Sequence, residues 1–228
     1  MSQRSSEVAG SDIPRSERNQ RRPGTTRLRV IRGHGGGPPA QPWEPPVSNA
    51  QLAILILIAF EAMVFLGLIT AYFILRSGHM AWPPPDMPRL PLAVSAVNTL
   101  MLTCSAFTMW RALAAVRAAD LAGLRSNLVA STVLGCLFLA VQGSEWVRLI
   151  HQGLTLSSGA YGSIFYTLVG LHAAHVVAAV IWLLAVLLLA WRGRFTARHH
   201  TPVQLCAMYW YFVCGLWLVL FGLVYVYE

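Results

Sequence analysis

The stretch YGSIFYTLVGLHAAHV, Tyr161–Val176, opens the longest apolar run in the chain of 228 residues. This run continues to about Trp191, which is more than the roughly 20 residues that a helix needs to cross the core of a bilayer. Its length predicts a membrane-spanning helix. Two histidines, His172 and His175, lie inside it. Because such side chains are costly among lipid tails, we interpret both as candidate functional residues.

The composition of the whole chain indicates the same class of protein. The chain is 56% hydrophobic and only 11% charged, whereas soluble domains are about 25% charged. The strand-like alternation of a β-barrel is missing. We therefore predict an all-α integral membrane protein, an antiparallel bundle of five transmembrane helices. The predicted spans are residues 50–75, 91–110, 128–146, 163–191 and 203–227.

The distribution of arginine predicts the topology of these spans. Residues 1–46 are rich in Ser, Gly, Pro and Arg, which predicts a disordered cytoplasmic tail before a five-helix domain at 47–228. Arginine is concentrated in the tail and in the second and fourth loops, so the N-terminus is predicted inside and the C-terminus outside. The net charge of +8 comes with no basic helix or aromatic patch, so nucleic acid is not a predicted partner.

Three further polar residues fall within or near the predicted spans. Glu61 lies at mid-bilayer depth in the first span, where it could relay protons, contact another subunit or pack as a protonated carboxyl. Asn98 is predicted to form an interhelical hydrogen bond. Glu145 is the carboxylate nearest in sequence to the two histidines. It lies shallower than His172, however, so a direct pair does not follow from the sequence.

The two histidines are three residues apart and therefore share a helix face. A metal or a haem could bind such a pair, but no further ligand accompanies it, and hydrogen bonding across helices is the commoner role. We predict no metal bound by this chain. The spacing of Gly170, Ala174 and Ala178 predicts a groove for close helix contact. Four cysteines lie in apolar segments and are interpreted as packing residues: Cys104, Cys136, Cys206 and Cys214.

The order of several motifs resembles subunit III of the haem-copper respiratory oxidases. They are FEAMVFLGLITAYF with Glu61, WPP from Trp82, NTLMLTCSAFTMWRAL from Asn98, QGSEW from Gln142, the block Tyr161–Val176, and YWYFVCGLWLVLFGLVYV from Tyr209. Three positions depart from the family pattern. Tyr211 stands at a histidine position, Cys214 at an aspartate position, and Phe60 where a serine usually precedes the glutamate. The two additional N-terminal helices of longer members are replaced by the tail.

The resemblance implies a non-redox subunit of a proton-pumping terminal oxidase in a bacterial inner membrane. It would pack mainly against subunit I, contact subunit II, support proton uptake and bind lipid, with phospholipid as the candidate ligand. Haem and copper would belong to the partner subunits, and this chain would bind no cofactor and be catalytic only as part of the complex. We predict lipid or subunit contacts for Trp82, Arg111, Trp146, Tyr161, Tyr209 and Trp210.

Two alternatives stay open at this point. An accessory subunit of a nitric oxide reductase would share the same five-helix core. An independent transporter or proton channel would require rows of polar residues along at least two helices, whereas this sequence has isolated ones.

Overall fold

The computed structural model describes residues 48–80, 82–84, 90–196 and 199–226. Within these ranges the chain has five α-helices and no strand. Each helix is long and apolar enough to cross a membrane, which confirms the predicted class. The predicted tail, residues 1–46, lies outside the described residues, and the orientation of the bundle stays a prediction. The helices are α1 Asn49–Ser77, α2 Leu92–Arg117, α3 Leu121–His151, α4 Gly159–Trp191 and α5 Thr201–Phe221.

Two helices extend beyond the apolar runs from which they were predicted. We predict a loop at 111–127, but the structure places Arg111 and Arg117 in α2 and Arg125 in α3. Arginine is a good helix former and can extend its charge toward water, so a helix does not end where apolar residues end. The turn between these helices is short because Asp120 caps α3, accepting a hydrogen bond from the backbone N of Gly123 at 2.9 Å.

Helix α1 lies at the edge of the bundle, where it packs against α4 and α5. It begins with a capping box in which the Ser48 hydroxyl accepts from the Gln51 backbone and the Gln51 side chain accepts from the Ser48 backbone. Only three of its 29 residues are buried, namely Ile54, Phe65 and Tyr72. Most of its apolar surface therefore faces outward.

Helix α5 is the most deeply packed element and contacts α1, α2 and α4. Both Trp210 and Trp217 on this helix are fully buried. The indole of Trp210 fits because position 135 on α3 is a glycine, where an added Cβ would lie 2.7 Å from the indole ring. The helix continues into a π-helical turn, Gly222–Val226, which carries the buried Tyr225.

The predicted small-residue groove on α4 is not used for helix contact within the described bundle. Ala174 and Ala178 are exposed, and only Gly170 meets a neighbouring helix, where an added Cβ would lie 3.7 Å from the ring of Trp146. Close packing occurs instead on the α4 face that carries His172 and Val176.

Candidate functional site

Glu61 on α1 faces α4 and α5 from the middle of its helix. Its side chain is 13% exposed. The hydroxyl of Tyr209 donates a hydrogen bond to Glu61 Oε1 at 3.3 Å, and His175 Nε2 lies 3.8 Å from the same oxygen. Glu61 Oε2 is buried and has no hydrogen-bond partner among the described residues. The carboxyl group therefore joins three helices at one point.

The backbone of α4 determines how His175 can meet Glu61. His175 Nδ1 lies 2.7 Å from the carbonyl oxygen of Leu171, which can only accept, so Nδ1 carries a hydrogen. In a neutral imidazole, Nε2 is then an acceptor and can meet only a protonated carboxyl group. If Glu61 is ionised, an attractive contact requires protonated His175.

His172 lies one turn earlier on α4 in a different environment. It is fully buried and stacks on Trp217, with ring centroids 5.1 Å apart and planes at 26°. Neither of its ring nitrogens has a hydrogen-bond partner in the part of the chain that the structure describes. Phe65 makes edge contacts to both histidine rings, at 6.4 Å to His172 and 5.3 Å to His175. Among the described residues, no three His, Cys, Asp or Glu side chains converge in a way that could hold a metal ion.

Among the described residues, the carboxyl group that approaches a histidine is that of Glu61, and Glu145 lies elsewhere. Glu145 Oε1 lies 3.8 Å from Arg148 Nη1 on the same helix, in the last turns of α3. Position along the helices of the bundle, rather than nearness in sequence, thus determines which carboxylate meets His175. The neighbouring Trp146 is half-buried and makes an edge contact to Tyr166, with ring centroids 6.0 Å apart.

Asn98 takes part in a chain of hydrogen bonds that crosses the core. Its Nδ2 donates to the carbonyl oxygen of Phe138 at 3.2 Å and to Gln142 Oε1 at 3.4 Å, both on α3. Gln142 Nε2 in turn donates to the Tyr225 hydroxyl at 3.2 Å. From the sequence, Gln142 is predicted only as the start of a motif, with no role of its own. This role could have been predicted, because the amide of Gln142 lies in the adjacent span at a depth similar to that of Asn98.

Two buried indoles form a second set of polar contacts, between α5 and α2, which was not predicted from the sequence. Trp210 Nε1 donates to Ser105 Oγ at 3.2 Å, and Trp217 Nε1 donates to Thr99 Oγ1 at 2.9 Å. The two tryptophans are seven residues apart and so share a face of α5. Ser105 and Thr99, which lie on α2, are the residues from which these contacts could have been predicted.

Three residues predicted to contact lipid or another subunit are instead buried within this chain. Tyr161, Tyr209 and Trp210 are 3%, 6% and 0% exposed. An amphipathic ring can occupy the bundle core when its polar atom has a partner there, as Trp210 does with Ser105. Arg111 is exposed on α2.

The hydroxyl of Tyr72 forms a second anchor for α1, near the C-terminal end of that helix. It accepts from Arg76 Nη1 at 3.4 Å and from Trp82 Nε1 at 3.3 Å, and it donates to the carbonyl oxygen of Leu223 at 3.4 Å. The ring of Trp82 lies edge-on to Tyr72 and Tyr161, with centroids 5.8 Å and 5.2 Å away. Trp82 therefore connects the loop after α1 to α4.

Apolar grooves flank α1 on both sides. The groove toward α4 has a volume of about 270 Å³ and contains Glu61 and His175 among Leu57, Phe60 and Leu171. The groove toward α5 has a volume of about 360 Å³ and is lined mainly by apolar side chains together with Tyr211. Glu61 and His175 therefore lie in a groove whose other described lining residues are apolar.

Comparisons with known proteins agree with these features. The family model for cytochrome c oxidase subunit III matches residues 46–228. A cytochrome c oxidase subunit 3 from Synechocystis sp. is 39% identical over 176 residues, covering 75% of this chain and 72% of that protein. A probable cytochrome c oxidase subunit 3 from Nocardia farcinica is 33% identical, covering 75% and 84%. A cytochrome c oxidase subunit 3 from Thermostichus vulcanus is 32% identical, covering 77% and 86%.

Proposed function

Because this chain belongs to the cytochrome c oxidase subunit III family, we propose that it is the non-redox subunit III of a proton-pumping terminal oxidase. The family makes it a multi-pass membrane component of a multi-subunit oxidoreductase. In our proposal the complex lies in a bacterial inner membrane, and this chain packs mainly against subunit I and also contacts subunit II. Haem and copper lie in the partner subunits, where electrons pass to O₂.

The observation that carries this proposal is the use of Glu61 as an interhelical anchor. Its carboxyl group is engaged by Tyr209 of α5 and by His175 of α4. These contacts hold a helix that buries only three residues of its own. Here the titratable side chains connect helices to one another, as expected of a subunit that maintains the structure of a complex. These contacts support a stabilising role toward subunit I.

A supporting role in proton uptake follows from the chemistry of the same pair. In this proposal a small movement brings Glu61 Oε1 and His175 Nε2, which lie 3.8 Å apart, within hydrogen-bond distance, where a proton can pass between them. The pair lies beside an apolar groove, so it can hold a proton near the subunit surface without exposing a fixed charge to lipid. In this proposal the pair buffers protons close to the entry route in subunit I.

Lipid binding is the third part of the proposal. The grooves on the two sides of α1 are apolar and open toward the surface of the bundle. Acyl chains of phospholipid would fill them, since the outward residues of α1 include Phe60, Met63 and Leu66, all more than 60% exposed. Such lipid would complete the packing of a helix with few protein neighbours.

Two variants of Glu61 test the anchoring role in the assembled oxidase. Glu61→Ala removes both contacts. Glu61→Gln keeps them, because an amide nitrogen at the position of Oε1 can donate one hydrogen to His175 Nε2 and the other to the hydroxyl oxygen of Tyr209. We expect the alanine variant to start at a normal rate of O₂ consumption and to lose activity several-fold sooner over repeated turnovers. The glutamine variant should last nearly as long as the wild type.

The matched control is Met63→Ala, which removes an exposed side chain from the same helix. It should not change the lifetime of the complex. Equal lifetimes for the wild type and Glu61→Ala would contradict the anchoring role. An optical spectrum of the complex that copurifies with this chain tests the proposal more broadly, because haem bands of an oxidase are expected, and a lone oligomer without haem would refute it.

A further inference from the structure

Two buried polar groups on neighbouring helices lack hydrogen-bond partners within the residues that the structure describes. On α4, both ring nitrogens of His172 are buried and unpaired. On α1, the contacts of Tyr209 and His175 with the Glu61 carboxyl group both reach Oε1, whereas Oε2 is buried and accepts nothing. The chain's own atoms cover these polar atoms, so a partner from outside cannot reach them. Because a buried polar atom without a partner is costly, a partner within the chain is favoured.

The ring of Phe65 separates these two groups. Phe65 lies four residues after Glu61 and therefore shares its face of α1. Its ring contacts the edges of both histidine rings, at 6.4 Å to His172 and 5.3 Å to His175. Phe65 also lines the grooves on both sides of α1, whereas His172 lines neither groove. The Phe65 ring therefore stands between His172 and the groove that contains Glu61.

We propose that Phe65 is a switch between two hydrogen-bonded states of Glu61. In the second state the Phe65 ring turns into the groove toward α5, and the Glu61 side chain turns so that Oε2 accepts a hydrogen bond from an N–H of His172. A neutral imidazole always carries one N–H, so this bond forms whether the carboxyl group is protonated or ionised. The switch goes beyond the proposed function and does not depend on it, because every group involved belongs to this chain.

The groove toward α5 has room for the ring. Its volume is about 360 Å³, and Gly215 in its wall has nothing within 4 Å of an added Cβ. Because the groove is lined mainly by apolar side chains, the ring changes places there with a lipid chain rather than with water. Turning the Phe65 ring gives up its edge contacts to two imidazoles, and the new hydrogen bond satisfies two buried atoms. Ring contacts and hydrogen bonds contribute free energies of similar size, so neither state excludes the other.

Infrared spectroscopy of the intact complex tests the switch. The carboxyl stretch of Glu61 is isolated as the difference between the wild type and Glu61→Gln, and a hydrogen bond to Oε2 moves this stretch to lower frequency. We expect two components in the wild type, one for each state. His172→Phe keeps a ring against Trp217 and should remove only the component with the bonded Oε2. A single component in the wild type, or two components that persist in His172→Phe, would overturn the proposal.

Two further variants shift the balance between the states without changing either polar group. Phe65→Ala removes the ring and should increase the share of the component with the bonded Oε2 several-fold. Gly215→Leu fills the groove that receives the ring and should reduce that share several-fold, and its side chain enters open space, so the closed bundle is not strained. Phe60→Ala is the matched control, since this ring lines the groove toward α4 but is 64% exposed, and it should leave the share unchanged. Equal shares in the wild type and all three variants would show that Phe65 is not a switch.

Discussion

Helix α1 is more apolar than helix α5, but a smaller share of its residues is buried. Helix α1 is the most apolar of the five spans, yet it buries only three of 29 residues. Helix α5 is less apolar and buries nine of 21. Lipid tails are as apolar as leucine, so apolarity does not drive helices together in a membrane, whereas close packing and polar contacts do. Glycine residues and hydroxyl and indole groups are therefore found where the helices of this bundle meet.

The two helices are consequently held by different means. Helix α5 is held by continuous packing around Trp210 and Trp217, each with a hydrogen bond to α2. Helix α1 is held chiefly at two polar points, Glu61 in the middle and Tyr72 toward its C-terminal end. Substitutions that delete packing should therefore matter most in α5, and substitutions that delete single polar atoms should matter most in α1.

The largest effect is expected from Trp217→Ala, which removes a fully buried indole that contacts His172, Phe138 and Thr99. The cavity should lower the free energy of unfolding by about 3 kcal/mol, measured by denaturation in mixed micelles. Leu218→Ala on the same helix is the control, since Leu218 is 49% exposed and its loss should cost little. Similar losses in both variants would contradict the packing difference between the faces of α5.

A smaller effect is expected from adding one methyl group opposite Trp210. In Gly135→Ala the new Cβ would lie 2.7 Å from an indole that Ser105 holds in place. The free energy of unfolding should fall by about 1–3 kcal/mol. Gly143→Ala, also on α3, has nothing within 4 Å and should be neutral or stabilising. The interpretation of position 135 would be wrong if both alanines were tolerated equally.

The smallest effect is expected from Tyr72→Phe, which removes one hydroxyl from the anchor near the C-terminal end of α1. Its three hydrogen bonds are long, at 3.3–3.4 Å, so we expect a loss of about 1 kcal/mol in the local opening free energy. Amide hydrogen exchange should quicken in the last turns of α1 and stay unchanged in α5. Ile74→Ala, at a residue 65% exposed, should not alter exchange. Unchanged exchange in Tyr72→Phe would show that α1 does not depend on this anchor.

The sequence was sufficient to predict the number and class of the helices, because each span needs a long apolar run. It was insufficient for the helix ends, since Arg117 and Arg125 continue helices past the apolar runs. It also did not identify the partner of His175. Residues distant in sequence meet only when two spans bring them to the same depth, as Glu61 and His175 show. Trp210 was misassigned because an amphipathic ring suits either the bundle core or the membrane interface.

The most direct test of the central claim compares the oxidase assembled with and without this chain. The measurement is O₂ consumption per haem, followed over repeated turnovers. We predict the same haem content and nearly the same initial rate in both preparations, with activity lost several-fold sooner when the chain is missing. A loss of haem together with the chain, or an equally long-lived activity without it, would contradict the proposed role of this chain as a non-redox stabilising subunit.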